Sequence, residues 1–571
     1  MRLLNINTRQ KKDLGAFYTP SQLAQSVTQT VIDQYLTHRL NSITSFHFIS
    51  LDQILNFPRK MFFERLDDII MAMKILDGAA GDGEFLRAAY TTLSMIKNKI
   101  DQRLSNSEKT LNLSSSLYGM EIDSKAVTSC QQSLHEVIFN DIQLDATEIL
   151  RANIIQGNFL NCSFSSWENL SVAIKGFDII LGNPPWGGRL TTSQKEHYHK
   201  QFGLACPKRN INTASLFVYK ATNLLANGGA LAFLLPKNIT RSNQYTFLRE
   251  FMVTNFQINN LNFHGLFQDV TQEFISFIGF RVPQVPSDHK ILINDKKIVP
   301  QASYLTNFDY IFTKEFDPHS QKIISRIQND SVPLSHFVTI KRGEELSKKG
   351  GVMYCLHCSE WVPLSSRKPK ITCPQCHRAL QKEKLKIKFL ITKYTDEHHT
   401  QPILTGDDFN PYMITGTHFI DPNIQFRSKK DPILYQSPKL VVQKIKRVPC
   451  AAYDPDGRWT TQNVYNIKLK SQYTNDELLY YILAVLNSSL YQWYYEYQFN
   501  LGSNYTNAIS LKNLRRLPLK KPDMFNKIVQ EIIDLAKKLS RDPETHLIEK
   551  LNQLVLKYYD CKSVPLVTLQ N

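Results

Sequence analysis

The stretch Lys74-Ile75-Leu76-Asp77-Gly78-Ala79-Ala80-Gly81-Asp82-Gly83 decides the fold. A short apolar run ends in an acidic residue, breaks into a turn rich in glycine, and continues as the helical stretch EFLRAAYTTLSMI. Between a strand and a helix, glycines let the backbone approach a ligand, and the helix N-terminus offers amide donors. The order Asp77-x-Ala79-x-Gly81-x-Gly83 departs from the G-x-G-x-x-G spacing of dinucleotide folds. A second apolar run, Ser116 to Met120, ends at Glu121-Ile122-Asp123, where Glu121 is suited to accept two ribose hydroxyls. Together the two elements point to an adenosine ligand without a pyrophosphate, namely S-adenosylmethionine. Taken singly they read as a plain turn and an exposed strand-end carboxylate.

Outward from there the pattern repeats. Asn153 to Asn158, Phe177 to Trp186 and Ala230 to Leu235 are further apolar strands, the last after the turn Asn227-Gly228-Gly229, and helical stretches separate them. Upstream, Pro20-Ser21 starts a helix with Leu23, Val27 and Val31 along one face. Strands alternating with helices imply a parallel α/β sheet. The alternation fails around 282–300 (RVPQVPSDHK), which sets the expected domain boundary.

Asn183-Pro184-Pro185-Trp186 closes one of these strands, at the carboxyl edge where α/β sites lie. An exocyclic aromatic amine such as adenine N6 is a poor nucleophile because its lone pair is delocalised into the ring. Two acceptors on its hydrogens, the Asn183 side-chain carbonyl and the Pro184 backbone carbonyl, favour a pyramidal nitrogen with a localised lone pair. Pro-Pro restricts the backbone, so the carbonyl is aimed before a substrate arrives. Trp186 is expected to supply a stacking face. The competing reading is a proline-rich turn that merely caps a strand.

Charge and cysteine place the second half. The 571 residues carry 68 Lys+Arg against 51 Asp+Glu, a net +17, with 30 basic and 25 acidic over 1–300 and 38 and 26 over 301–571. The excess therefore sits in the back half, which favours a polyanionic partner there. At 42% hydrophobic the chain is not a disordered one. No apolar run approaches the ~18–20 residues of a membrane span, and the N-terminus lacks a signal-peptide apolar stretch. Four of nine cysteines, Cys355, Cys358, Cys373 and Cys376, form C-x2-C…C-x2-C, the spacing of a zinc ribbon. Four protein ligands make a closed, structural site. Two disulfides are the alternative, and His357 and His377, inside the knuckles, read as bystanders that could substitute for a ligand. An inserted ribbon at about 352–378 would extend the footprint on that polyanion or simply staple the fold.

The combination of Gly15-x-Phe17-Tyr18-Thr19-Pro20, Asp77–Gly83, Glu121, Gly157-Asn158 and Asn183-Pro184-Pro185-Trp186 resembles the gamma-class N6-adenine DNA methyltransferases of restriction–modification systems, TaqI-type. The segments TQNVYNIKL, LLYYILAVLNSSLYQWYY and LKNLRRLPL resemble that group's target-recognition domain. The resemblance implies a Rossmann-like, S-adenosylmethionine-dependent α/β domain at 1–290. It further implies a mixed α+β recognition domain at 300–522 with the ribbon inserted, and a C-terminal helical segment at 523–571. Phe17, Tyr18, Thr19, Pro20, Asp77, Ala79, Gly81, Gly83, Glu121, Ile122, Asn158 and Asn183 would hold the cofactor. The family usually has Asp where Asn158 stands, so its contact to the cofactor adenine loses a charge. Phe267 would pack on a flipped target base beside Asn183, Pro184, Pro185 and Trp186. Arg342, Lys444, Lys446, Arg447, Lys512, Arg515 and Arg516 are the expected DNA contacts.

The implied activity is methylation of adenine N6 in duplex DNA by a cytoplasmic prokaryotic enzyme, a monomer on DNA. It would be partnered by a separately encoded nuclease or other defence-system subunits. Two alternatives stand beside it: methylation of another planar amine, on RNA or protein glutamine, and a specificity subunit with a degenerate methylase fold.

Overall fold

The computed structural model describes residues 19–104, 113–167, 170, 175–186, 190–203, 211–266, 273–312, 318–364, 371–373, 375–380, 386–423, 430–500 and 508–565. The chain divides into two compact units, Met1–Lys314 and Glu315–Asn571.

The first unit is built on a nine-stranded sheet. Its strands are β1 (Ile75–Asp77), β2 (Leu117–Glu121), β3 (Ile154–Gln156), β4 (Phe177–Gly182), β5 (Leu225–Pro236), β6 (Phe256–His264), β7 (Phe274–Arg281), β8 (Lys290–Ile293) and β9 (Lys297–Pro300). The spatial order is β3-β2-β1-β4-β5-β7-β6-β8-β9. β1 pairs in parallel with both β2 and β4, Leu76 lying between Tyr118 and Ile180. The order reverses between β1 and β4, and in open α/β sheets ligands bind at such a switch point, beyond the carboxyl ends of the strands. β1 is buried throughout and β4 is buried apart from Asp178, as strands covered on both faces must be. β7 runs antiparallel between β5 and β6.

Helix α1 (Ser21–Ile43) buries Val27 and Val31 of the face read from the sequence, together with Ala24, Tyr35 and Leu40, while Leu23 is half-buried. The Tyr35 hydroxyl donates to Asp178 on β4, and the other oxygen of Asp178 accepts the Lys74 amide at 2.9 Å. This ties the helix to the sheet next to the switch point. Helix α2 (Glu84–Leu104) follows the glycine turn, α3 (Ser124–Ile142) starts behind the cap Asp123, and α4 (Thr213–Leu224) starts behind the cap Asn212.

Two boundaries differ from the sequence reading. The loss of alternation at 282–300 marks a change of strand direction and not the end of a domain. β8 pairs with β6 and β9 with β8, so the first unit's sheet runs to Pro300 and the unit to residue 314. The C-terminal helices Lys527–Leu539 and Thr545–Tyr558 are not a separate segment. Ile532, Ile533, Leu551 and Val555 share one core with Ile340, Leu440, Ile467 and Leu483 of the second unit. That unit carries a four-stranded sheet in the order Val338–Arg342, Val464–Leu469, Lys439–Gln443, Ala451–Asp454. A second four-stranded sheet contains Ile391–Thr392, His418–Ile420, Gln401–Leu404 and Trp459–Thr460. Strands and helices over one core make it α+β. Among the described residues no helix is long and apolar enough to cross a membrane.

Candidate active site

The two sides of the switch point carry the two motifs. After β1 the chain turns through Gly81 (φ +55°) and Gly83 (φ +90°), conformations that favour glycine. Asp77 is 1% exposed, and its Oδ1 accepts the Ala79 amide at 3.0 Å, which folds the turn back on the strand end. Burial pushes its carboxyl up to about 7, against the Ala79 hydrogen bond. Glu121, at the end of β2, accepts the Gly81 amide on one oxygen at 3.0 Å and the Ile122 amide on the other at 2.7 Å. The carboxylate and the glycine turn thus form one rigid rim. A Cβ at Gly81 would meet no atom of the described residues within 4 Å, so among them the rim faces open space. Ile122 stands beside it, 56% exposed, an apolar side chain with more than half of its surface bare among the described residues. Open space, a carboxylate and a bare aliphatic surface fit an adenosine ligand. Asn158 is exposed, and its Oδ1 caps the next turn by accepting the Leu160 amide at 3.0 Å, leaving one lone pair for a ligand.

Across the switch point, Gly182 ends β4 at φ +138° and hands over to Asn183. The Asn183 amide nitrogen donates to the Thr19 hydroxyl at 3.0 Å. Its Oδ1 is buried and has no hydrogen-bond partner among the described residues. A buried acceptor without a donor costs about 1–3 kcal/mol, so its presence calls for a functional account. The neighbouring carbonyl of Pro185 is occupied, accepting the Thr213 hydroxyl at 2.7 Å. Trp186 corrects the expectation of a stacking face. It is 6% exposed, donates Nε1–H to the Leu234 carbonyl at 3.2 Å, and lies against Phe274 with ring centroids 6.2 Å apart. The indole is packed into the sheet edge and fixes the turn from behind. Phe17, Tyr18 and Phe267 lie outside the described residues, while Thr19 is buried and Pro20 caps α1.

In the second unit the basic residues named from the sequence are not equivalent. Arg342 is bound to Gln462 through the backbone carbonyl (2.7 Å) and the side chain (2.9 Å). Arg447 forms an ion pair with the buried Glu496, and Arg515 donates to the Ile340 carbonyl at 2.8 Å. These three have partners within the fold. Lys512 and Arg516 have partners as well but are exposed, as are Arg515 and Lys446, and burial lowers the pKa of the half-buried Lys444. Cys355, Cys358, Cys373 and Cys376 converge, all four sulfurs within 4.8 Å of one another, with Cys355–Cys376 at 3.9 Å and Cys358–Cys373 at 3.8 Å. A tetrahedral Zn²⁺ with bonds of about 2.3 Å requires sulfurs about 3.8 Å apart. Ser359 and His377, each following the second cysteine of its knuckle, share φ +54°. His357 is engaged by Arg378 at 3.1 Å and stands outside the sulfur cluster.

Two family models match this chain: the Eco57I restriction-modification methylase over residues 115–268 and the TaqI-like C-terminal specificity domain over residues 401–519. The chain carries a restriction–modification methylase domain and a TaqI-like specificity domain. The TaqI-type resemblance drawn from the motifs is thereby borne out. The methylase match includes Glu121, Asn158 and the Asn183 turn and begins downstream of the glycine turn. Similar curated proteins include the type II methyltransferase M.BstVI of Geobacillus stearothermophilus, 25% identical over 190 residues, which are 32% of each chain. The type II methyltransferase M.VspI of Vibrio sp. (strain 343) is 24% identical over 200 residues, 34% of this chain and 44% of that one. The chain spans less than half the length of these curated relatives. Among solved structures, the type IIL restriction-modification enzyme MmeI in complex with DNA aligns over 98% of this chain and 78% of its own. Its TM-score is 0.58 at 13% identity, a likeness of fold.

Two residues of the methylase domain site escaped the sequence reading. Gly182 is needed because a Cβ there would lie 2.5 Å from Asp77 Oδ1. Thr213 holds the carbonyl beside the one expected to face substrate. The signal for Gly182 was present as a glycine ending an apolar run. Nothing local links Thr213 to a turn 28 residues earlier.

Proposed function

We propose that this chain is a site-specific DNA adenine methyltransferase that moves a methyl group from S-adenosylmethionine to N6 of an adenine turned out of the duplex, as the modification component of a restriction–modification or related defence system. The observation that carries the reading is the buried Oδ1 of Asn183 at the switch point, which has no partner among the described residues. Thr19 takes the amide hydrogen, which orients the carbonyl end of Asn183 toward an incoming donor. An N6 amine brings two hydrogens: one suits Asn183 Oδ1, the other the Pro184 carbonyl. Accepting both draws the lone pair out of conjugation and points it away from the ring. Thr213 holds the adjoining Pro185 carbonyl, keeping the turn in one conformation.

Asp77, Gly81, Glu121, Ile122, Asn158 and Thr19 are the residues that would hold the cofactor. When bound, S-adenosylmethionine supplies a methyl group already activated on a sulfonium. The base must leave the stack for its amine to reach a site of this kind, and protein contacts must offset the unstacking. The TaqI-like specificity domain supports duplex DNA as the substrate over RNA or a protein glutamine. The four cysteines are assigned to one structural Zn²⁺, since their sulfur spacing matches a tetrahedral site and no thiol is left for a substrate.

The test is expression in a host free of DNA methylation, followed by single-molecule sequencing and nucleoside analysis. N6-methyladenine at one recurring sequence is expected. Methylcytosine, or methyl transfer confined to RNA or protein, would refute the assignment.

A further inference from the structure

The ribbon between Gly350 and Leu390 holds more positive charge than its size explains. Residues 351–389 contain eight Lys and Arg against two Glu, a net +6 in a chain whose total is +17. One Zn²⁺ on four thiolates would remove about two of those charges and leave the module cationic. Its own core is very small: Met353, Cys355, Val362 and Cys373 are its buried members. The base of the module is anchored in the neighbouring cluster, where its Val352 joins Leu346, Leu390 and Ile403 and its Trp361 packs against them.

Its outer edge has a distinct chemistry. The strand Ile387–Phe389 pairs on one side with Gly351–Cys355 and ends the three-stranded sheet, with all three residues exposed. Lys386 is exposed as well, Phe389 is 60% exposed, and Leu356 at the first knuckle is 72% exposed. Lys388 lies with its ammonium 5.7 Å from the Trp361 ring centroid. Alternation along the strand puts Lys386 and Lys388 together on one face and Ile387 and Phe389 on the other, so the lysine face presents paired cations to the phosphates of a nucleic-acid backbone. This strand edge, Lys386 to Phe389, carries no Arg, Asn or Gln, the planar forks that read G or A, and its lysines meet phosphate as point charges.

We propose that this edge of the ribbon grips the DNA backbone outside the sequence being read, adding affinity without adding sequence choice. The inference rests on the reading of the chain as a DNA methyltransferase. Charge complementarity selects the occupant, since a net +6 in 39 residues matches a polyanion. An acidic protein partner is the alternative the experiment addresses.

Two variants of the full chain test it. The first is Lys386→Gln with Lys388→Gln, which leaves the cysteines intact. In the second, Asn-Gly replaces residues 353–387, joining Val352 to Lys388, which already face each other in antiparallel register. Binding to a duplex with the target sequence and to an unrelated duplex is measured across salt, and the methylated sequence is mapped. Both affinities should weaken by one common factor while the methylated sequence stays the same. Losing two phosphate contacts should lower the log–log salt slope by about 1.8, so raising salt from about 50 to about 200 mM weakens wild type about twelvefold more than the lysine variant. Unchanged affinity and slope in both variants would overturn the proposal and leave the edge to a protein partner. Loss confined to the target duplex, with an altered methylation sequence, would overturn it in favour of base reading. Failure of the parent reading looks different: wild type then transfers no methyl group to duplex DNA, whatever the ribbon variants do to binding.

Discussion

Gly182→Ala is the most exacting test of the site, because that glycine couples the two motifs. The residue sits at φ +138°, and an added Cβ would lie 2.5 Å from Asp77 Oδ1 and 3.0 Å from its Cγ. Asp77 is 1% exposed and cannot swing into solvent. The backbone conformation alone costs an L-residue about 1–3 kcal/mol. Displacing Oδ1 also breaks its 3.0 Å bond from the Ala79 amide, worth about 1.5 kcal/mol for a charged acceptor. The sum is about 3 kcal/mol, or roughly 4 to 5 °C in melting temperature for a unit of this size. Cofactor affinity should fall too, because the Ala79–Gly81 turn moves with Asp77. Differential scanning calorimetry and titration with S-adenosylmethionine measure the two effects. A Gly182→Ala, Asp77→Ala double variant completes the cycle: the alanine at 182 should cost about 1.5 kcal/mol less once the carboxylate is gone. Equal cost in both backgrounds, or unchanged cofactor affinity in Gly182→Ala, would show that the two motifs are not coupled through this contact.

Asn183→Ala should lower methyl transfer at least 10²–10³-fold, as loss of a charge-positioning group does, while DNA affinity stays within about twofold; retained turnover in a radiolabelled methyl assay would remove Asn183 from its role. Asp77→Asn probes burial: the folded-state carboxyl is raised from 3.8 to about 7, so its favourable contribution is complete below pH 3.8 and is lost as pH rises through about 7. The melting temperature of wild type should therefore fall relative to Asp77→Asn between about pH 4 and 7 and run parallel above; a constant difference would mean that Asp77 does not titrate there. Purified protein should contain one zinc per chain by mass spectrometry, and Cys355→Ser should lose most of it. A metal-free but folded ribbon in wild type would dismiss the structural ion.

Much of the site was legible because its chemistry is written in contiguous residues. The run from Ile75 to Gly83 forms strand, turn and helix start through neighbours in sequence, and the Asn183 turn follows its strand in the same way. The four cysteines carry their own spacing. What was not legible depends on partners far along the chain. Trp186 was expected to face a substrate, yet its indole is claimed by Leu234 and Phe274, which reach it only when β5 and β7 pair. The domain boundary was misplaced because a strand that joins an existing sheet, as β8 joins β6, leaves no periodic signature of that pairing. The list of basic residues could not separate Arg447, committed to Glu496, from the exposed Lys446, since adjacent residues in the chain part company only on folding.

The unpaired oxygen of Asn183 has a consequence for evolution and engineering. A group kept ready for a substrate hydrogen leaves the resting protein less stable than the same fold with that acceptor removed. Selections for thermostability that ignore activity should therefore drift toward small apolar residues at position 183 and yield sturdier, silent proteins. A substrate amine that fills the vacancy would in turn raise the melting temperature of the active form by mass action, so the productive base could be picked from a panel of nucleosides by heat alone.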